Sequence, residues 1–322
     1  MDIRQLRYFV AIVEQGSFSR AAVILHVAQP ALSLHVRNIE AELGTSLLFR
    51  TPKGVVPTEA GEILLRNART IIDQLTITEE EVRGHQNDPA GVVRLGLPGT
   101  ISEILSVPLI MAARSRYPRI ELRIAEAMSG FVLEWLRESR VDLAVIYRNV
   151  SDNGLATVEL LEEELVFFGP AQGLSDPPNA GPLPAPEAMP LLADLTDLPL
   201  ILPGKAHGLR LLIDRHAAAA GVDLDVSIEV DSYSNIKRLV CSGLGCSILP
   251  LNAISQEVAE GKLESWHIGD VRLRRSAYLA FPEARPMTNA VAAIRDLAEE
   301  VLRDLARKGS WVGARALPGE TS

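Results

Sequence analysis

Gln29, Pro30, Ser33, Leu34 and Arg37 lie within one nine-residue stretch, and at about 100° per residue the last four leave a helix from one side. A hydroxyl, a guanidinium and an N-terminal amide side chain on an exposed helix face supply the donors and acceptors that meet base edges and phosphates in a major groove. Gln29 and Arg37 are the principal donors, and Leu34 offers apolar contact. His35 projects to the flank of the opposite face and reads as structural. Arg50 and Lys53 follow on a Pro/Gly turn, where both cations can meet phosphates or the minor groove. Ser19 and Arg20, ahead of the polar face, complete the candidate set.

Three short helices are needed to hold those side chains. Leu6, Phe9, Val10 and Val13 repeat as an amphipathic first helix that Gly16 ends. Ser19 is expected to cap a second helix through Arg20-Ala21-Ala22, whose small side chains admit a neighbouring helix, with Leu25 closing it onto the core. After the connection His26-Val27-Ala28, Gln29-Pro30 opens a third helix with proline where its missing N–H costs nothing. Leu32, Val36, Ile39 and Leu43 are its expected buried face and Gly44 its stop. Leu48 to Thr58 reads as two short strands around a turn, a wing. The same pattern fits a three-helix packing module with a solvated polar face, but the wing's two cations favour a nucleic-acid partner.

The ordered run of Leu6 and Phe9, Gly16-Ser17-Phe18, Ala21-Ala22, Gln29-Pro30-Ala31-Leu32-Ser33, Ile39-Glu40, Leu43-Gly44, Leu47, Phe49-Arg50 and Pro57-Thr58-Glu59-Ala60-Gly61 resembles the N-terminal signature of the LysR-type transcriptional regulators. The family usually has a polar residue where Leu34 stands, which bears on the operator sequence. Arg94-Leu95-Gly96-Leu97-Pro98, Ala125 to Gly130 and Trp135-Leu136 look most like the branch around the nitrogen assimilation control proteins. The resemblance implies a homodimer or homotetramer that binds an interrupted inverted repeat in double-stranded DNA. It also implies RNA polymerase as a partner at promoters and a small organic anion as effector. It covers the chain to about Lys308.

Between Thr58 and about Arg83 the chain reads as one long helix, in which Leu64, Ala68, Ile71, Leu75, Thr78 and Val82 alternate at spacings of four and three. Such a heptad seam needs a partner: the same helix of a second subunit, which the resemblance favours, or the second half of this chain. Charge is uneven. The whole chain carries −9 at neutral pH, yet residues 1–58 hold six cations against four carboxylates and residues 59–88 three against seven. A mildly basic reading head on an acidic linker makes specificity depend on placed contacts and dimer symmetry more than on bulk attraction.

With 322 residues at 47% hydrophobic, the chain exceeds one compact domain and has ordinary globular composition. No secretory signal and no apolar run long enough to span a membrane are apparent, so the expected location is the cytoplasm. Domains are expected at 1–58 (winged helix-turn-helix), 59–88 (linker helix and hinge) and 89–308 (effector-binding), followed by a loose tail at 309–322. Asn87-Asp88-Pro89-Ala90-Gly91 marks the hinge. Beyond it, strands near Val92–Leu97, Ile120–Ala125, Leu143–Tyr147, Leu165–Phe168, Leu200–Leu202, Val226–Val230, Cys246–Leu249 and Ser276–Phe281 alternate with helices, which predicts buried parallel sheets covered on both faces. Residues 172–190, rich in Pro, Gly and Ala, read as a long surface loop.

In the family this half is a two-lobed α/β module similar to periplasmic binding proteins. That places lobe I at about 91–162 and 269–308, lobe II at about 163–268, and the crossings near Glu162–Leu165 and Trp266–Arg272. A ligand would sit between the lobes, where helix N-termini converge. Candidate contacts are Thr100 and Ser102, Ser129 and Gly130, and Lys205 and His207, with plain helix capping the alternative for each hydroxyl. Cys241 and Cys246, the only cysteines, are expected to be packed and not a redox pair. Six scattered histidines and the absence of nucleophile-elbow, zincin or phosphate-loop motifs predict no metal, no cofactor and no catalysis. The alternatives are an enzyme or a ligand-binding protein that uses the cleft.

Overall fold

The computed structural model describes residues 1–52, 54–83, 88–150, 154–175, 181–269, 271–283 and 287–316. Lys53 and Asn87 therefore lie outside the described residues.

The first helix, α1 (Ile3–Gln15), opens on a capping box between Asp2 and Gln5 and ends at Gly16 in the left-handed region, with φ +58°. Next come α2 (Phe18–Leu25) and α3 (Gln29–Leu43). The cap of α2 is Ser17, whose hydroxyl accepts the Arg20 N–H, which corrects the expectation of Ser19. Ser17 has the extended backbone that a cap requires, while Ser19 is already inside the helix. Leu32, Val36 and Ile39 are buried as their spacing requires, but Leu43 is exposed because the last turn of α3 runs past the core. Ile12 joins the buried set from a second face of α1.

Strands β1 (Leu48–Thr51) and β2 (Gly54–Pro57) form the antiparallel wing. It is pinned to the helices by the Val55 N–H on the Gly16 carbonyl at 2.9 Å. A Cβ at Gly54 would stand 2.4 Å from that same carbonyl oxygen, so only glycine fits there. The linker helix, α4 (Glu59–Arg83), then leaves the module.

The rest of the chain builds two lobes on one shared strand. Lobe I contains β3 (Gly91–Leu97), α5 (Gly99–Arg116), β4 (Ile120–Glu126), α6 (Ser129–Arg137) and β5 (Leu143–Ile146). Its strand β3 runs parallel to both β4 and β5. Along β5, Leu143 and Val145 face one core and Ala144 and Ile146 the other, the period-two pattern of a strand covered on both faces. The sixteen-residue β6 (Leu155–Pro170) crosses from this lobe to the next.

Lobe II holds β7 (Leu200–Leu202), α7 (Gly208–Ala219), β8 (Val226–Glu229), α8 (Tyr233–Cys241), β9 (Ser247–Pro250), α9 (Leu251–Ala259) and β10 (Leu263–Trp266). The return strand β11 (Arg274–Pro282) pairs with β5 and with residues 155–164 of β6, whereas β9 and β10 pair with residues 165–170. These pairings are antiparallel, so the sheets are mixed and the expectation of purely parallel sheets is corrected. In lobe I the reversal comes from the return strand β11, and in lobe II β9 and β10 both run against the shared strand β6.

Helix α10 (Asn289–Arg307) covers lobe I. The loose tail is also corrected as far as residue 316. Trp311 is 1% exposed, and β12 (Ala314–Ala316) adds to β6 opposite Leu161–Glu163. One large indole in a polar tail is enough to dock it.

Candidate functional site

The exposed face of α3 carries the candidate DNA-contacting side chains. Gln29, Pro30, Leu34 and Arg37 are exposed and Ser33 is half-buried. The α3 cap, Ala28, supplies no side-chain cap bond, so the positive end of the helix is open beside Gln29. Gln29 Oε1 accepts the Ser19 hydroxyl at 3.2 Å, which ties the two helices of the motif together. Arg37 donates from Nε to the Ser33 carbonyl at 3.4 Å, within its own helix. His26 takes φ +53° in the turn, a conformation uncommon outside glycine, and sets the angle between α2 and α3.

Around that face, two of the candidate cations are partly engaged. Arg20 donates to the Gln15 carbonyl at 2.5 Å and fastens the end of α1. Arg50 lies on the wing with its guanidinium carbon 4.8 Å from the centre of the Phe18 ring, within cation–π range. His35 packs edge-on against Tyr8, in keeping with a structural role.

The seam on α4 is not one continuous free stripe. Leu64 and Ala68 are buried in the core formed with α1, while Ile71 and Val82 are exposed and Leu75 is half-buried. The first half of the linker helix is part of its own module, so only the later positions remain for a partner. Leu64 and Ala68, expected on the dimer seam, are packed within their own module.

In the cleft the structure gathers a different group from the one the sequence suggested. Arg275, only 6% exposed, lies 3.6 Å over the Tyr147 ring and donates from Nε to Glu163. Its terminal nitrogens approach the Tyr233 hydroxyl at 3.4 Å and the Thr100 hydroxyl at 3.5 Å. Thr100 also shares a 2.7 Å hydrogen bond with Tyr147, and the Trp311 indole donates to Glu163 at 3.2 Å. Burial works against the Arg275 charge, but Glu163 together with Tyr147 and Tyr233 more than offsets it, so the guanidinium stays charged. Burial also pushes the Tyr147 and Tyr233 hydroxyls above their ordinary range, which keeps both protonated as donors.

Of the six residues first proposed for this cleft, Thr100 and His207 belong to that group. His207 caps α7 through Nδ1 and faces Tyr233 at 5.7 Å between ring centres. Burial, then the charge of Arg275, pushes its pKa down. Ser129 accepts the Tyr147 N–H at 3.4 Å, and Ser102 is turned along α5 onto Ser106 at 3.0 Å. Gly130 and Lys205 are exposed. Arg275, Glu163, Tyr147 and Tyr233 escaped the sequence reading. The only signal was an arginine in a strand that otherwise reads as buried.

Cys246 is buried and its thiol is pushed up to about 12, whereas Cys241 is exposed, which corrects the expectation that both are packed, and partial desolvation still pushes its thiol above the ordinary value. Neither supplies a reactive thiolate near neutral pH. Among the described residues, no group of three or more His, Cys, Asp or Glu is placed to hold a metal ion, and no helix is long and apolar enough to cross a membrane.

A winged helix-turn-helix on a linker helix, joined to a two-lobed α/β module, defines a regulator with a DNA-reading head and a sensing body. Residues 3–62 match the family described as bacterial regulatory helix-turn-helix protein, lysR family, and residues 86–303 match the LysR substrate binding domain. The chain belongs to the LysR family of DNA-binding transcriptional regulators. It is 31% identical to the nitrogen assimilation regulatory protein nac of Escherichia coli K12, across 97% of this chain and 99% of that one. It is 30% identical to the E. coli dual regulator OxyR over 80% of this chain and 81% of that one. Among solved structures, a full-length OxyR variant from Pseudomonas aeruginosa matches with TM-score 0.76 at 25% identity, covering 94% of this chain and 95% of that one. Full-length BenM matches with TM-score 0.55 at 25% identity, covering 97% and 99%.

Proposed function

We propose that this regulator acts as a homodimer or homotetramer on interrupted inverted repeats at promoters, where it meets RNA polymerase. Gln29, Pro30, Ser33 and Arg37 read base edges, Leu34 makes apolar contact, and Ser19, Arg20, Arg50 and Lys53 hold the backbone. The observation that carries this reading is the division of α3: Leu32, Val36 and Ile39 are buried while Pro30, Leu34 and Arg37 stand exposed on the opposite side. Ile71, Leu75 and Val82 on the later turns of α4 face a second subunit.

A small organic anion in the interlobe cleft adjusts subunit geometry. Support comes from the N-termini of α5 and α6, neither of which has a side-chain cap bond, and from the donors of Arg275, Thr100 and Tyr233 between the lobes. The protein works in the cytoplasm, by binding and not by turnover, as its relatives are regulators.

Selection of bound fragments from sheared genomic DNA of the source organism at two salt concentrations, followed by footprinting, tests the reading. Enrichment of promoter-region inverted repeats is the expected result. No enrichment even at low salt would overturn it.

A further inference from the structure

Glu14 stands in the last turn of α1, and its carboxylate faces three arginines from three other elements. Oε1 accepts Arg69 Nη2 of α4 at 3.1 Å and Arg94 Nη2 of β3 at 2.7 Å. Oε2 accepts Arg123 Nη1 of β4 at 3.5 Å. The cluster continues into lobe I. Arg69 donates to the Ser139 carbonyl beyond α6 at 2.8 Å, the Arg94 N–H donates to Asp142 at 2.8 Å, and Arg123 also bonds Glu121 at 2.9 Å.

Glu14 and Arg69 are 17% and 11% exposed, so salt and water screen this contact less than an ordinary surface pair. Without the Glu14 carboxylate, three converging guanidiniums keep only Asp142, 3.7 Å from Arg94, and Glu121 beside Arg123, and Arg69 loses its direct carboxylate partner, which is costly at this depth. At the far end of the linker helix a second tie repeats the arrangement, where Glu80 accepts the Asn289 N–H at the start of α10 at 3.0 Å. On the module side Glu14 is two residues from Gly16, whose carbonyl holds the wing.

We infer that Glu14 is a positioning residue: it locks the winged module and linker helix against lobe I, so that the regulatory half sets the angle at which α3 meets DNA. Any displacement of β3 and β4 within lobe I moves Arg94 and Arg123, and through Glu14 the end of α1 and the wing. The inference rests on the proposed reading of a repeated site by paired subunits for its effect on DNA, but the lock itself lies within one chain.

The test uses the full-length protein in a Cys241→Ser background with spin labels at Ser46→Cys in the module and Ser115→Cys in lobe I, diluted with unlabelled subunits. The wild-type charge cluster should give one narrow distance by pulsed electron paramagnetic resonance. Glu14→Gln and Arg94→Gln should each broaden or move it, and the double variant should go no further than either single. On a duplex library carrying the selected half-sites at varied spacing, a preference of about tenfold for one spacing should fall to about threefold in each variant, with half-site affinity kept, because pairs in one network do not add. An unchanged distance in Arg94→Gln, which lies outside the winged module and decides the matter if Glu14→Gln disturbs the module's folding, would overturn the inference, as would additive effects in the double variant. If the wild type itself shows no spacing preference, the repeat reading fails, and the distance measurement alone judges the lock.

Discussion

Arg37 and Arg275 carry the same guanidinium into opposite surroundings. Arg37 is exposed on α3 and donates to the backbone of its own helix. Arg275 is buried under Tyr147 with Glu163 against it. A charge meant for an external polyanion is left in water, where it costs the fold little and gains when DNA releases its counterions. A charge placed between lobes has to be neutralised internally first, because an uncompensated buried ion is costly. Mutation should therefore affect binding on α3 and folding in the cleft.

The largest effect should come from Glu163→Ala, which leaves Arg275 buried without its carboxylate. A loss of about 3–5 kcal/mol in urea unfolding is expected, and a loss below about 1 kcal/mol would show that water already reaches the pair. Arg37→Ala should weaken operator binding by about 1–3 kcal/mol with unfolding unchanged. Equal losses on operator and random duplexes would reassign Arg37 to the backbone. Trp311→Phe keeps an aromatic ring but removes the indole donor to Glu163, and should cost about 1–2 kcal/mol by thermal unfolding. No change would mean that the C-terminal segment is held by packing alone.

A smaller effect distinguishes the two regions by pH. His207 has its pKa lowered from 6.5 in the folded protein by burial and by Arg275, so the folded state binds its proton less readily than the unfolded state. Its contribution to stability is fully present above 6.5 and is lost as the pH falls through the folded value. His207→Asn, which preserves a capping acceptor, should flatten that acid limb. A proton NMR titration of His207 midway at or above 6.5 would remove the effect.

Legibility followed the range of the interactions. The α3 face could be read because Leu32, Val36 and Ile39 lie one turn apart, and local periodicity separates them from Leu34 and Arg37. Ser17 was passed over for Ser19 because both precede Arg20 and only the backbone conformation tells them apart. On α4 the heptad pattern identified a buried stripe, but the pattern does not say which partner buries each part of it. Leu64 and Ala68 turned out to face α1. Glu163 and Arg275 are separated by 112 positions, and Glu163 sits in the run Glu162-Glu163-Glu164, which breaks the apolar alternation by which strands are recognised.

From sequence alone came the three helices and wing, the division of α3 into a buried and an exposed face, the long linker helix, the alternating lobes and the family, since each is written in residues a few positions apart or in an ordered motif. Tertiary structure decided the antiparallel return through β11, the docking of Trp311, the buried Arg275–Glu163 pair and the convergence of three arginines on Glu14. Those depend on which distant strands and helices become neighbours, and a single side chain's charge or shape does not reveal its partner until the chain has closed around it.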